Sequence, residues 1–358
     1  MSILPKRILI ITFIALLFQL ELSGQTAGAA AAFSRLGFSA KNIAAGNTGV
    51  AIIDEGESQG YYNPAVVAYN SRLQGGISFG LLAMDRSLNF LSFSTKAGPT
   101  AGLSISFINS GVGNIDTRNS DGAEQGMISV SENLLMVSFA NRFSEKLALG
   151  FNIRGYLSSL YQELPNAFSL GFDIGAVYRL INTETQAFTL GASLSNLNAK
   201  YKWDSSTIYG LDGTQTTDNI PIQLRLGFSY GTNQIGGFDF IRITGEFEEQ
   251  KWNLERKTPV SGLQNGIPTE EFVTIEESQS SRFIRIGAVI GISESFTIRV
   301  GADQLSISGS NFLELARPSA GFSFSFPIEK AMLTLDYTFV IEPVIGFGTN
   351  FISLGAKF

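Results

Sequence analysis

Segments of roughly ten residues in which apolar side chains take every second position recur along most of this chain, and that period of two restricts the fold more than any other feature. KLALGFNIRGYL (146–157) puts Leu147, Leu149, Phe151 and Ile153 on one face, against Ala148, Gly150, Asn152 and Arg154. AFSLGFDIGA (167–176) sets Phe168, Leu170, Phe172 and Ile174 against Ser169, Gly171, Asp173 and Gly175. IPIQLRLGFSY (220–230) aligns Ile220, Ile222, Leu224, Leu226, Phe228 and Tyr230 opposite Gln223, Arg225, Gly227 and Ser229. SFTIRVGAD (295–303) and SAGFSFSF (319–326) follow the same rule.

Read this way, the sequence predicts fourteen strands, over 73–82, 87–96, 99–109, 132–142, 146–158, 167–180, 187–196, 220–231, 238–250, 282–292, 296–306, 319–327, 331–341 and 349–358. Most are as long as a tilted transmembrane strand, about 9–11 residues, and longer than the soluble average of about 5–6. The gaps alternate from strand 2 onward. Ala97-Gly98, Ser144-Glu145, 181–186, 232–237, 293–295 and 328–330 are short; 110–131, 159–166, 197–219, 251–281, 307–318 and 342–348 are longer. An even strand number with short turns at one end and long loops at the other describes an outer-membrane barrel. The 83–86 gap breaks the alternation by being short.

Burial energetics favour the same answer. Rows of Leu, Ile and Phe exposed to water would cost about 1.5–3 kcal/mol per side chain. The opposite faces, rich in Gly, Ser, Thr and charge, would make a poor sandwich core. Lipid outside and a polar lumen inside satisfy both faces, and closure removes the unpaired edge. The expected fold is therefore all-β, a 14-stranded antiparallel transmembrane β-barrel over 73–358, with a short N-terminal hatch in its lumen.

The start of the chain carries a secretory signal. Lys6 and Arg7 precede an apolar core, ILIITFIALLF (8–18), and small residues Ser23 and Gly24 follow. This predicts a signal peptide over 1–24, because the core is too short to span a bilayer as a helix of about 20 residues. The predicted location is the cell outer membrane after cleavage. With no Cys and no His, the chain lacks thiolate and imidazole chemistry and the common zinc ligands. Charged residues make up 16% of it, below the quarter or so usual for soluble domains. Glu248-Glu249, Glu270-Glu271 and Glu276-Glu277 read as solvated charge in or near a long outer loop. No catalytic residue, metal site or cofactor is predicted, and the acidic balance gives no case for nucleic acid.

Residues 25–72 lack sustained alternation and are assigned as a separate N-terminal segment. Asp54, Glu55 and Glu57 form an acidic turn, and Asn63-Pro64-Ala65 reads as a capped helix start. Charges on the inner faces are Arg154, Asp173, Arg225, Arg285, Arg299, Asp303 and Asp336. They are read as a solvated or mutually paired lumen lining. A sharper alternative has Arg225 or Arg299 holding the acidic turn.

The stretch IAAGNTGVAIIDEG…YYNPAVVAY ahead of a fourteen-strand pattern resembles the PorV/PorQ family of Bacteroidota-type outer-membrane proteins, which is similar in fold to the FadL fatty-acid transporters. The resemblance implies that residues 25–72 are a hatch plugging the lumen, with the family's Asn-Pro-Ala at Asn63, Pro64 and Ala65. It implies a type IX secretion component that binds secreted cargo or attachment-complex proteins. The alternative is a FadL-like passage for a fatty-acid-like ligand. The last strand, with Ile352, Leu354 and the terminal Phe358 on one face, resembles the signal read by the barrel assembly machinery. Outer-membrane lipid is the remaining expected partner.

Overall fold

The computed structural model describes residues 29–53, 56, 59–161, 163–210, 215–264, 267–307, 312–343 and 348–358. The expected signal peptide, 1–24, and Asp54, Glu55 and Glu57 lie outside the described residues.

The described strands are β1 (Gln74–Leu81), β2 (Arg86–Lys96), β3 (Ala101–Arg118), β4 (Glu124–Arg142), β5 (Leu147–Ser159), β6 (Ala167–Asn182), β7 (Gln186–Leu197), β8 (Lys200–Asp204), β9 (Gln215–Asn219), β10 (Ile222–Ile235), β11 (Phe238–Gln264), β12 (Ile267–Ser293), β13 (Phe296–Ser306), β14 (Arg317–Ile328), β15 (Ala331–Ile341) and β16 (Gly348–Lys357). Fourteen of them close into an antiparallel barrel, while β8 and β9 pair only with each other. Closure runs through β1 and β16, from Gln74 opposite Lys357 to Leu81 opposite Asn350, and Phe358 N donates to Leu73 O at 2.9 Å.

Period two sets the two faces. Along β5, Leu149, Phe151 and Ile153 are exposed, whereas Ala148, Asn152 and Arg154 are buried. On β6, Phe168, Leu170, Phe172 and Ile174 point outward and Asp173 is buried. Ile352, Leu354 and Phe358 are likewise exposed. This polarity is inverted relative to a soluble protein, and an apolar solvent outside is what makes it stable.

The sequence reading needs correction at the strand ends. The predicted loops 110–131 and 251–281 are largely strand. β3 pairs with β2 only as far as Val112, yet β3 and β4 continue together to Arg118 opposite Glu124. β11 pairs with β10 only as far as Lys251, yet β11 and β12 continue to Gln264 opposite Ile267. Two hairpins therefore project beyond the rim at the long-connection end. Their residues need no greasy face, so hydrophobic alternation could not reveal them. The predicted 197–219 loop holds the β8–β9 hairpin. Ile220, placed outward on a strand by its spacing, precedes β10 and is buried.

Candidate functional site

The barrel's interior is occupied by its own N-terminal segment. Among the described residues of 30–70 the elements are short: helical turns at Ala32–Arg35, Ala40–Ala44, Gln59–Tyr62 and Pro64–Tyr69. Nearly all described side chains in them are buried. Inward glycines on the wall make room for this backbone. A Cβ on Gly150 would sit 2.6 Å from Ala65 N, and one on Gly227 2.7 Å from Val50 Cγ1. A Cβ on Gly102, Gly191, Gly287 or Gly301 would collide with the backbone of Val67, Val50, Ala45 or Gly46 respectively. Seen from the sequence, these glycines look like ordinary small residues on a polar face. At all but Gly227, which meets the Val50 side chain, the close approach of two backbones is what requires them.

Asn63, Pro64 and Ala65 lie at the centre of this contact. Asn63 is fully buried. Its Oδ1 accepts from Ala65 N at 3.0 Å, capping the turn that Pro64 opens. Its Nδ2 donates to Val50 O at 2.7 Å and to Ala176 O on β6 at 3.0 Å, with Ala192 O on β7 at 3.3 Å. One amide thus joins two parts of the segment to two wall strands. Other wall side chains hold the segment's backbone. Ser353 Oγ accepts from Ala40 N at 2.9 Å, Thr338 Oγ1 donates to Ala40 O, and Ser319 Oγ donates to Ile43 O at 2.7 Å. Glu246 on β11 accepts from Gly49 N and, at 2.7 Å, from Val50 N.

The inner-face charges form three paired groups. Arg154 Nε meets Asp173 Oδ2 at 2.5 Å; Asp173 also accepts from Asn152 Nδ2 at 2.8 Å and from Asn196 N at 2.9 Å. A longer relay crosses β10 to β14 and ends at Glu342, just past β15. Arg225 Nε lies 2.8 Å from Glu248, which also pairs with Arg285. Arg285 Nε reaches Asp303 at 2.5 Å, Asp303 faces Arg317 at 3.5 Å, and Arg317 binds Glu342 at 2.6 Å. Asn47 Nδ2 donates to Asp303 at 3.0 Å and Tyr62 OH donates to Asn47 Oδ1 at 2.7 Å, so the relay is tied to the segment. Arg299 sits 3.9 Å from Asp336, with Ser323 between them.

One sequence expectation changes here. Glu248 is not a solvated outer-loop charge: it is fully buried and is the hub between two arginines. Its neighbour Glu249 pairs with Arg282 at 2.9 Å. Arg225 is engaged by Glu248, and its guanidinium lies 5.7 Å from the ring centres of both Tyr61 and Tyr62. The acidic turn proposed for it lies outside the described residues. Glu246, Arg317 and Glu342 were missed. Glu246 and Glu248 were legible, since they alternate with outward Ile243 and Phe247 across FIRITGEFEEQ.

Toward the long-connection end the lining turns aromatic. Phe38 stands edge-on to Tyr61 at 4.7 Å and stacks on Phe90 at 5.7 Å. Tyr156, Tyr201 and Trp203 continue the cluster, with Leu134, Met136 and Phe351 around it. The β8–β9 hairpin is steered inward by left-handed Asn196 and Asn198 (φ 66° and 64°), and it lays Tyr201 over Tyr156. Burial pushes the Tyr201 phenol pKa well above its ordinary value. At the opposite, short-turn end, a cavity of about 200 Å³ is bounded by Lys41, Arg242, Arg299 and Thr334. Among the described residues there is no acidic, His or Cys cluster that could hold a metal.

Solved structures share this fold. The Pseudomonas putida toluene transporter TodX aligns over 90% of this chain and 97% of its own, with a TM-score of 0.56 at 13% identity. The Ralstonia pickettii toluene transporter TbuX aligns over 90% and 97%, at 0.54 and 12%. A Pseudomonas aeruginosa FadL homologue aligns over 88% and 96%, at 0.53 and 12%. No family model matches the chain, and no curated protein matches it. At such identities the likeness establishes a FadL-like barrel fold.

Proposed function

We propose that this chain is an outer-membrane passage for hydrophobic small molecules, with residues 25–72 acting as a hatch. The observation that carries this reading is the segment's attachment. It is held in the bore by side-chain hydrogen bonds and glycine contacts, outside the strand ladder, so it can shift without opening the barrel. The aromatic cluster near the long-connection end offers an apolar surface inside an otherwise polar lumen. The fold likeness to proteins described as toluene transporters supports the same reading. It lends none to the PorV/PorQ and type IX secretion reading, which therefore yields to this alternative.

In this reading the first 24 residues direct export and are removed, the short turns face the periplasm, and the projecting hairpins face outward. The test is uptake in a bacterial host lacking its own hydrophobic-compound channel. Cells expressing the protein should accumulate labelled long-chain fatty acid or toluene faster than controls, with glucose entry unchanged. Background uptake by a correctly folded, outer-membrane-located barrel would overturn the proposal.

A further inference from the structure

The wall has a step where β10 begins. Its first residue, Ile222, faces Lys251, and beyond that point β11 keeps β12 on one side but has lost β10 on the other. On the far side, β7 last pairs with β10 at Ser195. The returning chain fills only part of the gap. Asn219 Nδ2 donates to Asn253 O at 3.2 Å, bracing β9 against the bare edge of β11. What remains is a cleft of about 310 Å³.

Its lining is rich in donors. Lys200 and Lys251 stand exposed at its margin, with the amide of Asn198 beside them. No carboxylate is among the lining residues. Trp252, only 4% exposed, also lines the cleft, and its indole Nε1 is buried with no hydrogen-bond partner among the described residues. Ile222, which continues the outward apolar row of β10, forms the cleft's lower edge.

We propose that this cleft binds the phosphate-bearing saccharide headgroup of an outer-leaflet glycolipid. Two ammonium groups match phosphate oxygens, and the amides match sugar hydroxyls. The acyl chains then descend along the lipid-facing side from Ile222. The inference rests on the outer-membrane placement above and is independent of what the bore transports.

The test uses the full-length protein in a neutral detergent and native mass spectrometry. The probes are an acylated bisphosphoryl diglucosamine lipid, its dephosphorylated form, and free glucosamine 1-phosphate. The phosphorylated lipid should bind at about one copy per barrel. Lys200→Glu with Lys251→Glu should weaken it by about tenfold or more, with the barrel still folded by heat-modifiability. Retention of the free sugar phosphate would assign recognition to the headgroup alone; retention of the lipid only would add the acyl contact. Equal binding of the dephosphorylated lipid, or undiminished binding by the charge-reversed protein, would overturn the proposal. So would saturable binding of a fatty acid in place of the phosphorylated lipid. Loss of hydrophobic-compound uptake with lipid binding intact would sink the transport reading and leave this one standing.

Discussion

The carboxylate of Glu246 accepts the backbone N–H of Val50 at 2.7 Å, joining the wall of the barrel to the segment inside it across 196 residues of sequence. Gly49 N donates to the same oxygen. Glu246 is buried beneath the segment it holds, and both donors meet one oxygen of its carboxylate. It is the clearest single anchor of the N-terminal segment.

Glu246→Ala should therefore release residues 45–53 without opening the sheet. Two buried N–H groups would lose their acceptor, at about 1–3 kcal/mol each. Amide hydrogen exchange at Gly49 and Val50 should accelerate by at least about tenfold, with strand protection retained. Unchanged exchange in that stretch would remove Glu246 from the role of anchor.

Gly287→Ala tests the backbone-to-backbone contact. The added Cβ collides with Ala45 O, and neither partner is a side chain that can swing aside. The expected product is a heat-modifiable barrel whose segment is cleaved by added protease and whose bilayer conductance rises. Gly113→Ala, where a Cβ meets nothing within 4 Å, serves as the control. A closed, protected G287A variant would mean that close approach at this glycine is dispensable.

At Asn63, substitution by Ala removes the cap on Ala65 N and the donor shared with Val50 O and Ala176 O. The combined cost is about 2–4 kcal/mol, charged to the segment and not to the sheet. Asn63→Asp should be no better, because a carboxylate cannot donate to those carbonyls. Pulse proteolysis of the segment reads both; wild-type resistance in either variant contradicts the bridging role.

Glu248→Gln should lower barrel stability by about 3–5 kcal/mol, since Arg225 would stay buried with its carboxylate gone. Arg285 keeps Asp303. The loss should be nearly independent of salt, because buried pairs are poorly screened. The urea midpoint of the folded barrel at low and high ionic strength measures this, and a strongly salt-dependent loss would indicate a solvated pair.

Lysine substitutions separate the lipid face from the projecting hairpins. Leu354→Lys places charge on the outward row of β16 and should cost up to about 2–4 kcal/mol, depending on depth. Met127, exposed on β4 near the tip of its hairpin, should accept Lys within about 0.5 kcal/mol. Equal penalties at the two sites would place the hairpin within the bilayer.

The barrel was legible because lipid imposes a rule on every second residue. A transmembrane strand must present Leu, Ile or Phe outward, so Phe151, Leu170 and Leu226 announce themselves. Past the rim that rule lapses, and the outer halves of β11 and β12 looked like loop. Glu248 was misplaced for the same reason: the strand was read as ending where its apolar alternation faded, near Gln250. The inner arginines and aspartates were visible as charges on the polar face. Their partners were not, because Arg285 meets Asp303 and Glu248 only when β11, β12 and β13 are set side by side.

What the sequence determined by itself was the choice of solvent for each face, and with it the number of strands and the closure. Those follow from local chemistry, repeated every two residues. Only the tertiary structure decided how the bore is filled. It matched Gly191, Gly287 and Gly301 to the backbone of 45–50, gave Asn63 its carbonyls, and set Lys200 and Lys251 at one cleft where β10 begins. Such relations join residues far apart in the chain, and they exist only once the cylinder has closed around its own first segment.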